Sequence, residues 1–284
     1  MRTEKLMSTA IRTDFPGAVS DYHGYRCHQF DIDGHDARIA VPNEALPGRP
    51  WIWRVMFWDA FPRADIGLLD RGFHVAYVDT GDIFASADAL QLLSKLYDLL
   101  TTHHGLSTRP ALEGLSRGGY CAYRWAYFNT DKVGCIYGDA PLCDVSLVKQ
   151  WWRNDPEATM WPKLVAAYGL TLDADPALIE GNPIDSLAKL AEAGIPILHV
   201  CGDIDDAAVN SVNNDIVQDR YPKVGGKFTL IMKQNCPHHP HGLSDPTLVV
   251  DYIVAHCAEG AAAEEARVRA PKAGDVILVP EGTW

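Results

Sequence analysis

The chain has 284 residues, of which 47% are hydrophobic and 22% charged, so it is long and apolar enough to bury one large core. Its formal net charge of -12 would repel nucleic acids and anionic membrane surfaces, and no block of Lys or Arg offsets that charge. No apolar run reaches the roughly eighteen residues that a membrane span needs. We therefore expect neither nucleic acid nor a membrane as a partner.

The cysteines and the first residues bear on the compartment. Seven cysteines are an odd number without the spacing of a disulfide framework, which indicates free, buried thiols. The segment from Met1 to Thr13 has no apolar core of signal-peptide length, so we expect a soluble cytoplasmic protein. A secreted protein whose export signal lies outside this sequence would look the same.

Apolar periodicity in the first half of the chain predicts an antiparallel hairpin at the sheet edge, followed by alternating strands and helices. The run from Trp51 to Trp58 is too continuously apolar and aromatic for a surface strand, so we expect it at the centre of the sheet. The predicted elements are strands at 27–33 and 36–41, a strand at 51–58, a helix at 59–71, a strand at 73–78, a helix at 87–102, a strand at 109–114 and a helix at 119–128.

The second half continues the alternation around one long interruption. A strand at 133–138 is separated from the next, at 197–201, by a segment whose tryptophans and prolines indicate several short helices packed as a cap over 142–194. A helix at 210–221, a strand at 227–233 and a helix at 246–257 complete the pattern. We predict an α/β fold with a mostly parallel sheet flanked by helices, in a single domain over 1–257. The tail at 258–284 would add an edge strand or a subunit contact, and a homo-oligomer stays open.

Ser116 lies in the most informative stretch, Gly114-Leu115-Ser116-Arg117-Gly118-Gly119, between a predicted strand and a predicted helix. A serine on a sharp strand-to-helix turn has a strained backbone, and glycines at positions 114 and 118 would let the strand and helix approach closely. The helix would aim its first amides at Ser116, so the backbone N–H of Arg117 could stabilise an oxyanion. The pattern is typical of a nucleophile elbow.

Two later strand ends carry the residues that could activate this serine. A serine hydroxyl needs a histidine base whose tautomer is fixed by a buried carboxylate. Asp205 follows the strand at 197–201 and fits the carboxylate, while His238 follows the strand at 227–233 and fits the base. Because ligands of parallel sheets bind beyond the carboxyl ends of the strands, we expect these side chains to meet Ser116 there.

With these motifs the chain resembles the α/β-hydrolase superfamily, from the hairpin near Cys27 to the helix that ends near Cys257. Within it, the chain is similar to the esterase and prolyl-oligopeptidase-like branch. The order Ser116, Asp205, His238 is the order of the hydrolases that use this elbow. The resemblance implies Ser116 as nucleophile, Asp205 as acid and His238 as base.

The resemblance also implies an activity. A serine esterase of this kind cleaves a small-molecule ester through an acyl-enzyme and needs no cofactor. Its second oxyanion donor, beside the amide of Arg117, would be the backbone at Phe57 or Trp58. A peptidase of the prolyl-oligopeptidase-like type and a non-catalytic binding protein with the same fold are the alternatives.

Neighbouring residues could take either of the supporting roles. Asp203 or Asp206 could replace the acid, and His239 or His241 could replace the base. Asp139, at the end of the strand before the cap, is a further candidate acid, although we interpret it as a structural carboxylate bound to loop amides.

Several other polar residues have a structural and a functional interpretation. His238, His239 and His241 with Cys236 could bind a transition metal, but no matching pair occurs at zinc-finger spacing, so we predict no metal site. Arg54, the single charge in its strand, is interpreted as an internal ion-pair partner.

The cap offers the features that could select a substrate. Trp151 and Trp152 are predicted to bind the substrate, which favours a carbohydrate-linked or aromatic ester, while packing of the cap together with Trp161 is the alternative. Arg117, beside the nucleophile, would suit recognition of an acidic or hydroxylated substrate, or would anchor a neighbouring carboxylate.

Overall fold

The computed structural model describes residues 14–81 and 84–284. The expectation about Met1 to Thr13 falls outside these residues. Among the helices of the described ranges, none is long and apolar enough to cross a membrane.

A single twisted sheet lies at the centre of the described structure. Its strands in chain order are β1 (Ala18–Tyr22), β2 (Tyr25–Ile32), β3 (His35–Val41), β4 (Trp51–Arg54), β5 (His74–Val78), β6 (Ala111–Leu115), β7 (Cys135–Asp139), β8 (Ile197–Gly202), β9 (Phe228–Lys233) and β10 (Val276–Val279). Across the sheet they follow the order β1-β2-β3-β5-β4-β6-β7-β8-β9-β10. The pairs from β5 to β10 are parallel, whereas β1, β2 and β3 are antiparallel to their neighbours.

Helices cover both faces of this sheet. They are α1 (Arg63–Asp70), α2 (Ala87–Asp98), α3 (Arg117–Phe128), α4 (Ser146–Asn154), α5 (Met160–Ala167), α6 (Pro183–Glu192), α7 (Asn214–Lys223), α8 (Thr247–Cys257) and α9 (Gly260–Arg269). One apolar layer contains the inward faces of α2, α3, α6 and α7 together with the cap helices α4 and α5. The other contains α1, α8 and α9. Side chains of β4 alternate between the two, since Trp51 and Trp53 face the first layer and Ile52 the second.

The central position of β4 is as the sequence predicted, but the strand is shorter than the predicted 51–58. It ends at Arg54 because Phe57, Asp59 and Phe61 have positive φ angles of 59°, 64° and 52°, which an extended strand does not allow. The helix predicted at 59–71 accordingly begins only at Arg63.

The sequence did not predict the strand β1 or the helix α9, and for the tail it left open an edge strand or a subunit contact. β1 lies outside the predicted hairpin and forms the sheet edge, and four of its five residues are exposed, so it has no apolar alternation to reveal it. In the tail, Val276–Val279 pairs with β9 as an edge strand. The helix α9 was also missed, because its only buried residues are Ala263 and Ala266.

The cap lies over one face of the body through polar contacts as well as apolar packing. The side-chain carbonyl of Asn213 accepts hydrogen bonds from the amides of Cys143, at 2.6 Å, and Asp144, at 3.2 Å. The hydroxyl of Tyr168 donates to the carbonyl of Phe84 at 2.7 Å. These bonds connect the entry and the middle of the cap to the body. The cysteines are all buried and free of disulfides, as the sequence indicated.

Candidate active site

Ser116 occupies the turn between β6 and α3, with φ 48° and ψ -120°. These angles are unfavourable for a residue with a side chain, and they persist only where the surroundings enforce them. A Cβ added to Gly114 would lie 2.5 Å from the carbonyl oxygen of Gly118, and one added to Gly119 would lie 2.3 Å from Pro141. At Gly118 the corresponding distance, to Met56, is 3.3 Å. The close approach of β6 and α3 therefore depends on Gly114 and Gly119. Gly118, which the sequence analysis had named together with Gly114, contributes less.

The structure brings Ser116, His238 and Asp205 together at the carboxyl end of the sheet. The Nε2 atom of His238 lies 3.0 Å from the hydroxyl oxygen of Ser116. Its Nδ1 atom lies 2.9 Å from Oδ2 and 3.1 Å from Oδ1 of Asp205. The carboxylate is buried, and Oδ1 also accepts a hydrogen bond from the amide of Ala207 at 2.9 Å. With the proton on Nδ1, the imidazole presents the Nε2 lone pair to the serine.

The alternative acids lie elsewhere. Asp203 and Asp206 are exposed, and Asp203 accepts a hydrogen bond from the amide of Cys236 at 3.3 Å. Asp139 is fully buried but bonds to His241, with 2.7 Å between Nδ1 and Oδ1. Asp139 is therefore not the partner of the histidine that reaches Ser116.

Asp139 instead fastens the loop after β9 to the elbow. Its carboxylate accepts hydrogen bonds from the amide of Gly242 at 2.8 Å and from the hydroxyl of Tyr137 at 2.7 Å, besides the one from His241. Its backbone carbonyl accepts one from the amide of Ser116 at 2.9 Å. Burial alone would raise the pKa of this carboxyl, but the hydrogen bond from His241, together with the surrounding charges and the hydroxyl of Tyr137, outweighs it and holds the pKa below its ordinary value.

One predicted oxyanion donor lies at a helix start. The helix α3 begins at Arg117, directly after Ser116, so the amide of Arg117 belongs to the first turn, where amides have no partner within the helix. Its guanidinium lies over the rings of Phe57 and Phe84, at 5.4 and 5.6 Å from their centroids.

The other predicted donor is oriented by Arg54. The Nη1 atom of Arg54 donates to the carbonyl of Phe57 at 3.2 Å. Because a trans peptide points its C=O and N–H in opposite directions, the amide of Trp58 faces away from Arg54. The indole of Trp58 packs against Tyr22 and Tyr77, with centroids 4.6 and 5.6 Å away, so only its backbone is available for an oxyanion.

Arg54 is itself held by a fully buried carboxyl pair, as an internal ion-pair partner would be. Its Nε atom donates to Asp65 at 2.7 Å, and Nη2 donates to Glu113 at 2.9 Å. Burial raises the pKa of Glu113 well above its ordinary value despite the nearby guanidinium. The two buried carboxyl groups hold the guanidinium from two sides, so the position of Arg54 beneath the loop after β4 is fixed.

Two cavities share Arg117 as a wall, and Ser116 lines one of them. The cap-side cavity has a volume of about 390 Å³ and contains Ser116, Leu142, Trp151 and Met160 in its lining. The second has a volume of about 350 Å³ and is lined by residues that include Phe57, Tyr77 and Asp79. An apolar compartment thus contains the serine, and a more polar compartment adjoins it at Arg117.

The three tryptophans of the cap have different positions. Trp151 contributes to the cap-side cavity, whereas Trp152 is not among its lining residues and packs partly against the core. Trp161 is fully buried and donates from Nε1 to the carbonyl of Leu172 at 2.9 Å. Met160 also lines the cavity, and its sequence position does not reveal this because methionine fills cores and binding surfaces alike.

Comparisons with known proteins concern the fold. No protein-family model matches the chain, and no curated protein matches its sequence. Among solved structures, an S-formylglutathione hydrolase from Agrobacterium tumefaciens is 12% identical over 78% of this chain and 91% of its own, with a TM-score of 0.56. Est1E from Butyrivibrio proteoclasticus is 16% identical over 85% and 95% of the two chains, with a TM-score of 0.50. An acylaminoacyl peptidase from Pyrococcus horikoshii is 14% identical, with a TM-score of 0.54, over 75% of this chain but only 37% of its own.

The sheet order, its parallel half and these structural matches define an α/β-hydrolase fold. The fold class predicted from the sequence is confirmed. At such low identity the likeness extends to the fold alone, and the chemistry has to be argued from the side chains at the carboxyl edge of the sheet.

Proposed function

We propose that this protein is a serine hydrolase that cleaves carboxylic esters. The observation that carries the proposal is the continuous chain of contacts from the hydroxyl of Ser116 through both nitrogens of His238 to the buried carboxylate of Asp205, at 3.0 and 2.9 Å. A serine hydroxyl is a weak nucleophile on its own, and this arrangement is what activates one.

The proposed reaction has two halves. His238 takes the proton of Ser116 at Nε2 while the serine oxygen attacks the ester carbonyl, and Asp205 stabilises the resulting imidazolium. The amides of Arg117 and Trp58 bind the oxyanion. Collapse of the tetrahedral intermediate transfers the proton from His238 to the leaving alcohol and leaves an acyl-enzyme. Water then repeats the cycle through the same base and releases the acid, so every proton transfer uses these side chains and requires no cofactor.

The substrate class is inferred from the compartment that contains Ser116 and the one that adjoins it at Arg117. The cap-side cavity, with Trp151 and Met160, suits an aromatic or otherwise flat apolar group. The second cavity contains Asp79 and Thr80 and suits a hydroxyl-rich group. Together they support an aromatic or carbohydrate-linked ester as the small-molecule substrate. Ester hydrolysis ranks above peptide hydrolysis because, among the described residues, the lining of the cavity that contains Ser116 includes no carboxylate that could hold an amine.

A fluorophosphonate probe read by intact mass tests the proposal directly. The wild-type protein should gain one adduct, and Ser116→Ala should gain none. Ser244→Ala, which removes an exposed serine on the same edge of the molecule, serves as the matched control and should label like the wild type. Absence of labelling in a folded wild-type protein would point to a non-catalytic protein with this fold.

Paired chromogenic substrates separate the esterase from the peptidase. An aryl ester and an anilide with the same acyl group differ in the leaving group alone. Turnover of the ester with little turnover of the anilide would support the proposed function. Comparable turnover of both would favour the peptidase.

A further inference from the structure

Three histidines crowd one end of the candidate active site. His238, His239 and His241 lie on the loop after β9, and their ring centroids are 4.8 to 4.9 Å apart. One ring nitrogen from each lies within 4.8 Å of the other two. Hydrolysis as proposed uses only the first of these rings.

Buried carboxylates prepare two of the rings as ligands. Nδ1 of His238 faces Asp205, and Nδ1 of His241 faces Asp139, at 2.9 and 2.7 Å. A carboxylate at one nitrogen places the proton there and leaves the other nitrogen with a free lone pair, which is the usual arrangement of histidines that bind zinc. The chain therefore presents two Nε2 donors, each with the outer partner that a metal ligand requires.

The third ring is accessible and oriented. His239 is exposed, and its ring stacks on Phe61 with centroids 5.9 Å apart and an angle of 16° between the planes. The edge of the His241 ring also meets Phe61, at 5.3 Å. One aromatic side chain thus contacts both rings, and the exposed His239 makes the cluster accessible from solvent.

Contrary to the expectation of no metal site from the sequence, we propose that His238, His239 and His241 form a binding site for a borderline divalent cation such as Zn²⁺, and that its occupation reversibly inactivates the hydrolase. The inhibitory half rests on the proposed function, since Nε2 of His238 is also the proposed proton acceptor for Ser116. Three imidazoles and one water are a common zinc ligand set.

The inhibition follows from the single lone pair of Nε2. Zinc binding forms three Zn–N bonds and breaks the hydrogen bond between Ser116 and His238, with no change of oxidation state. Nitrogens on one tetrahedral zinc lie about 3.4 Å apart for Zn–N bonds of about 2.0 to 2.1 Å. The three ring nitrogens lie within 4.8 Å of one another, so they need to approach by up to about 1.4 Å, and all three rings shift on binding. The net charge of -12 favours the approach of a cation.

Zinc binding is measured first without substrate, by titration against a chromogenic chelator. The wild type should bind one Zn²⁺, and His239→Gln should bind it at least about tenfold more weakly. His103→Gln, which removes an exposed histidine elsewhere, is the matched control and should bind like the wild type. Equal binding by the wild type and His239→Gln, or no stoichiometric binding, would overturn the site.

Hydrolysis is measured second. Zinc should inhibit the wild type, a chelator should restore its rate, and His239→Gln should keep its metal-free rate while resisting inhibition. Equal inhibition of both proteins would overturn the proposed switch. The two proposals fail separately. If the wild type binds zinc, His239→Gln does not, and no fluorophosphonate labelling occurs, the hydrolase is refuted and the zinc site is retained. If the wild type is labelled but binds no zinc, the zinc site is refuted and the hydrolase is retained.

Discussion

Two carboxylate–histidine pairs stand next to each other at the carboxyl edge of the sheet, and only one of them reaches a serine. In the first, His238 bridges Asp205 and Ser116 through its two nitrogens. In the second, His241 bonds to Asp139 at a shorter 2.7 Å, but its ring turns toward Phe61 and the other histidines.

The difference between the pairs shows that a buried carboxylate does not by itself make a histidine a base. Asp139 has additional donors in Tyr137 and Gly242, so its carboxylate serves as an anchor for the loop. Asp205 has one further donor, the amide of Ala207, and keeps its carboxylate directed at one imidazole. The anchoring pair fixes the position of the loop, and the other pair is available for proton transfer.

The largest expected effect comes from removing the hydroxyl of Ser116, which contacts His238 but not His241. Ser116→Ala should lower ester turnover by about 10⁴-fold or more, with little change in the free energy of unfolding, because the glycines set the shape of the turn. His238→Gln should be equally inactive, and the double variant no worse than either single one. Multiplicative losses in the double variant would show that the two residues do not act as a unit.

Replacing each carboxylate by its amide, in Asp205→Asn and Asp139→Asn, tests whether the two pairs have different roles. Asp205→Asn should lower kcat by about 10⁴-fold because the amide favours the wrong tautomer of His238. Asp139→Asn should cost at most about a hundredfold, the effect of shifting the base by about 1 Å. It should instead lower the free energy of unfolding by about 1 to 3 kcal/mol, because buried donors lose their acceptor.

Steady-state kinetics and urea denaturation on both variants decide the matter. If a folded Asp139→Asn protein is as inactive as Asp205→Asn, Asp139 takes part in catalysis, and the two pairs do not have separate roles.

The sequence could predict the α/β-hydrolase fold because the strand and helix periodicities follow from local apolar spacing. It could also propose Ser116, Asp205 and His238, since each follows a buried strand whose carboxyl end meets the others. It preferred His238 as the base but left His239 and His241 as substitutes, because the choice depends on which ring turns toward Ser116. Their catalytic roles remain predictions that the contacts support.

What the sequence missed has a common physical cause. The pairing of Asp139 with His241 joins residues 102 positions apart, and no local pattern encodes it. The early end of β4 arises from left-handed backbone at Phe57 and Asp59, neither of which is a glycine. The edge strand β1 depends on pairing with β2 rather than on an apolar face.

A third buried histidine sharpens the comparison because it has no carboxylate partner. His199 contacts the hydroxyl of Tyr123 at 2.8 Å and the side-chain carbonyl of Asn214 at 3.0 Å. Burial lowers the pKa of His199 to about 4, so the folded protein keeps it neutral where the unfolded chain would protonate it.

The free energy of unfolding should therefore be highest above pH 6.5 and fall as the pH drops from 6.5 toward 4. The contribution of His199 is on the order of 3 kcal/mol. The urea midpoint should fall less steeply with decreasing pH in His199→Gln than in the wild type. The exposed control His103→Gln should show the same pH dependence as the wild type. His74, whose pKa burial also lowers to about 4, should account for part of the remaining slope. A wild-type slope retained in His199→Gln would contradict the assignment.

The smallest expected effect lies in the cap, where Trp151 and Trp152 form a matched pair of half-buried tryptophans. Only Trp151 lines the cavity that contains Ser116. Trp151→Ala should raise KM for an aromatic ester by about tenfold, the equivalent of about 1.4 kcal/mol of lost binding, while kcat for a small activated ester changes little. Trp152→Ala should leave the ranking of esters unchanged.

Thermal melts distinguish a recognition role from a packing role, since truncating a fully buried tryptophan typically costs about 3 to 5 kcal/mol. Trp151 is only half-buried, so its variant should melt close to the wild type and still react with the fluorophosphonate at Ser116. If Trp151→Ala instead melts early and loses all esters alike, the side chain supports the cap rather than the substrate. If Trp152→Ala reorders the esters as strongly as Trp151→Ala, the cavity beside Ser116 does not define the binding surface, and the acyl group must extend along the outer face of α4.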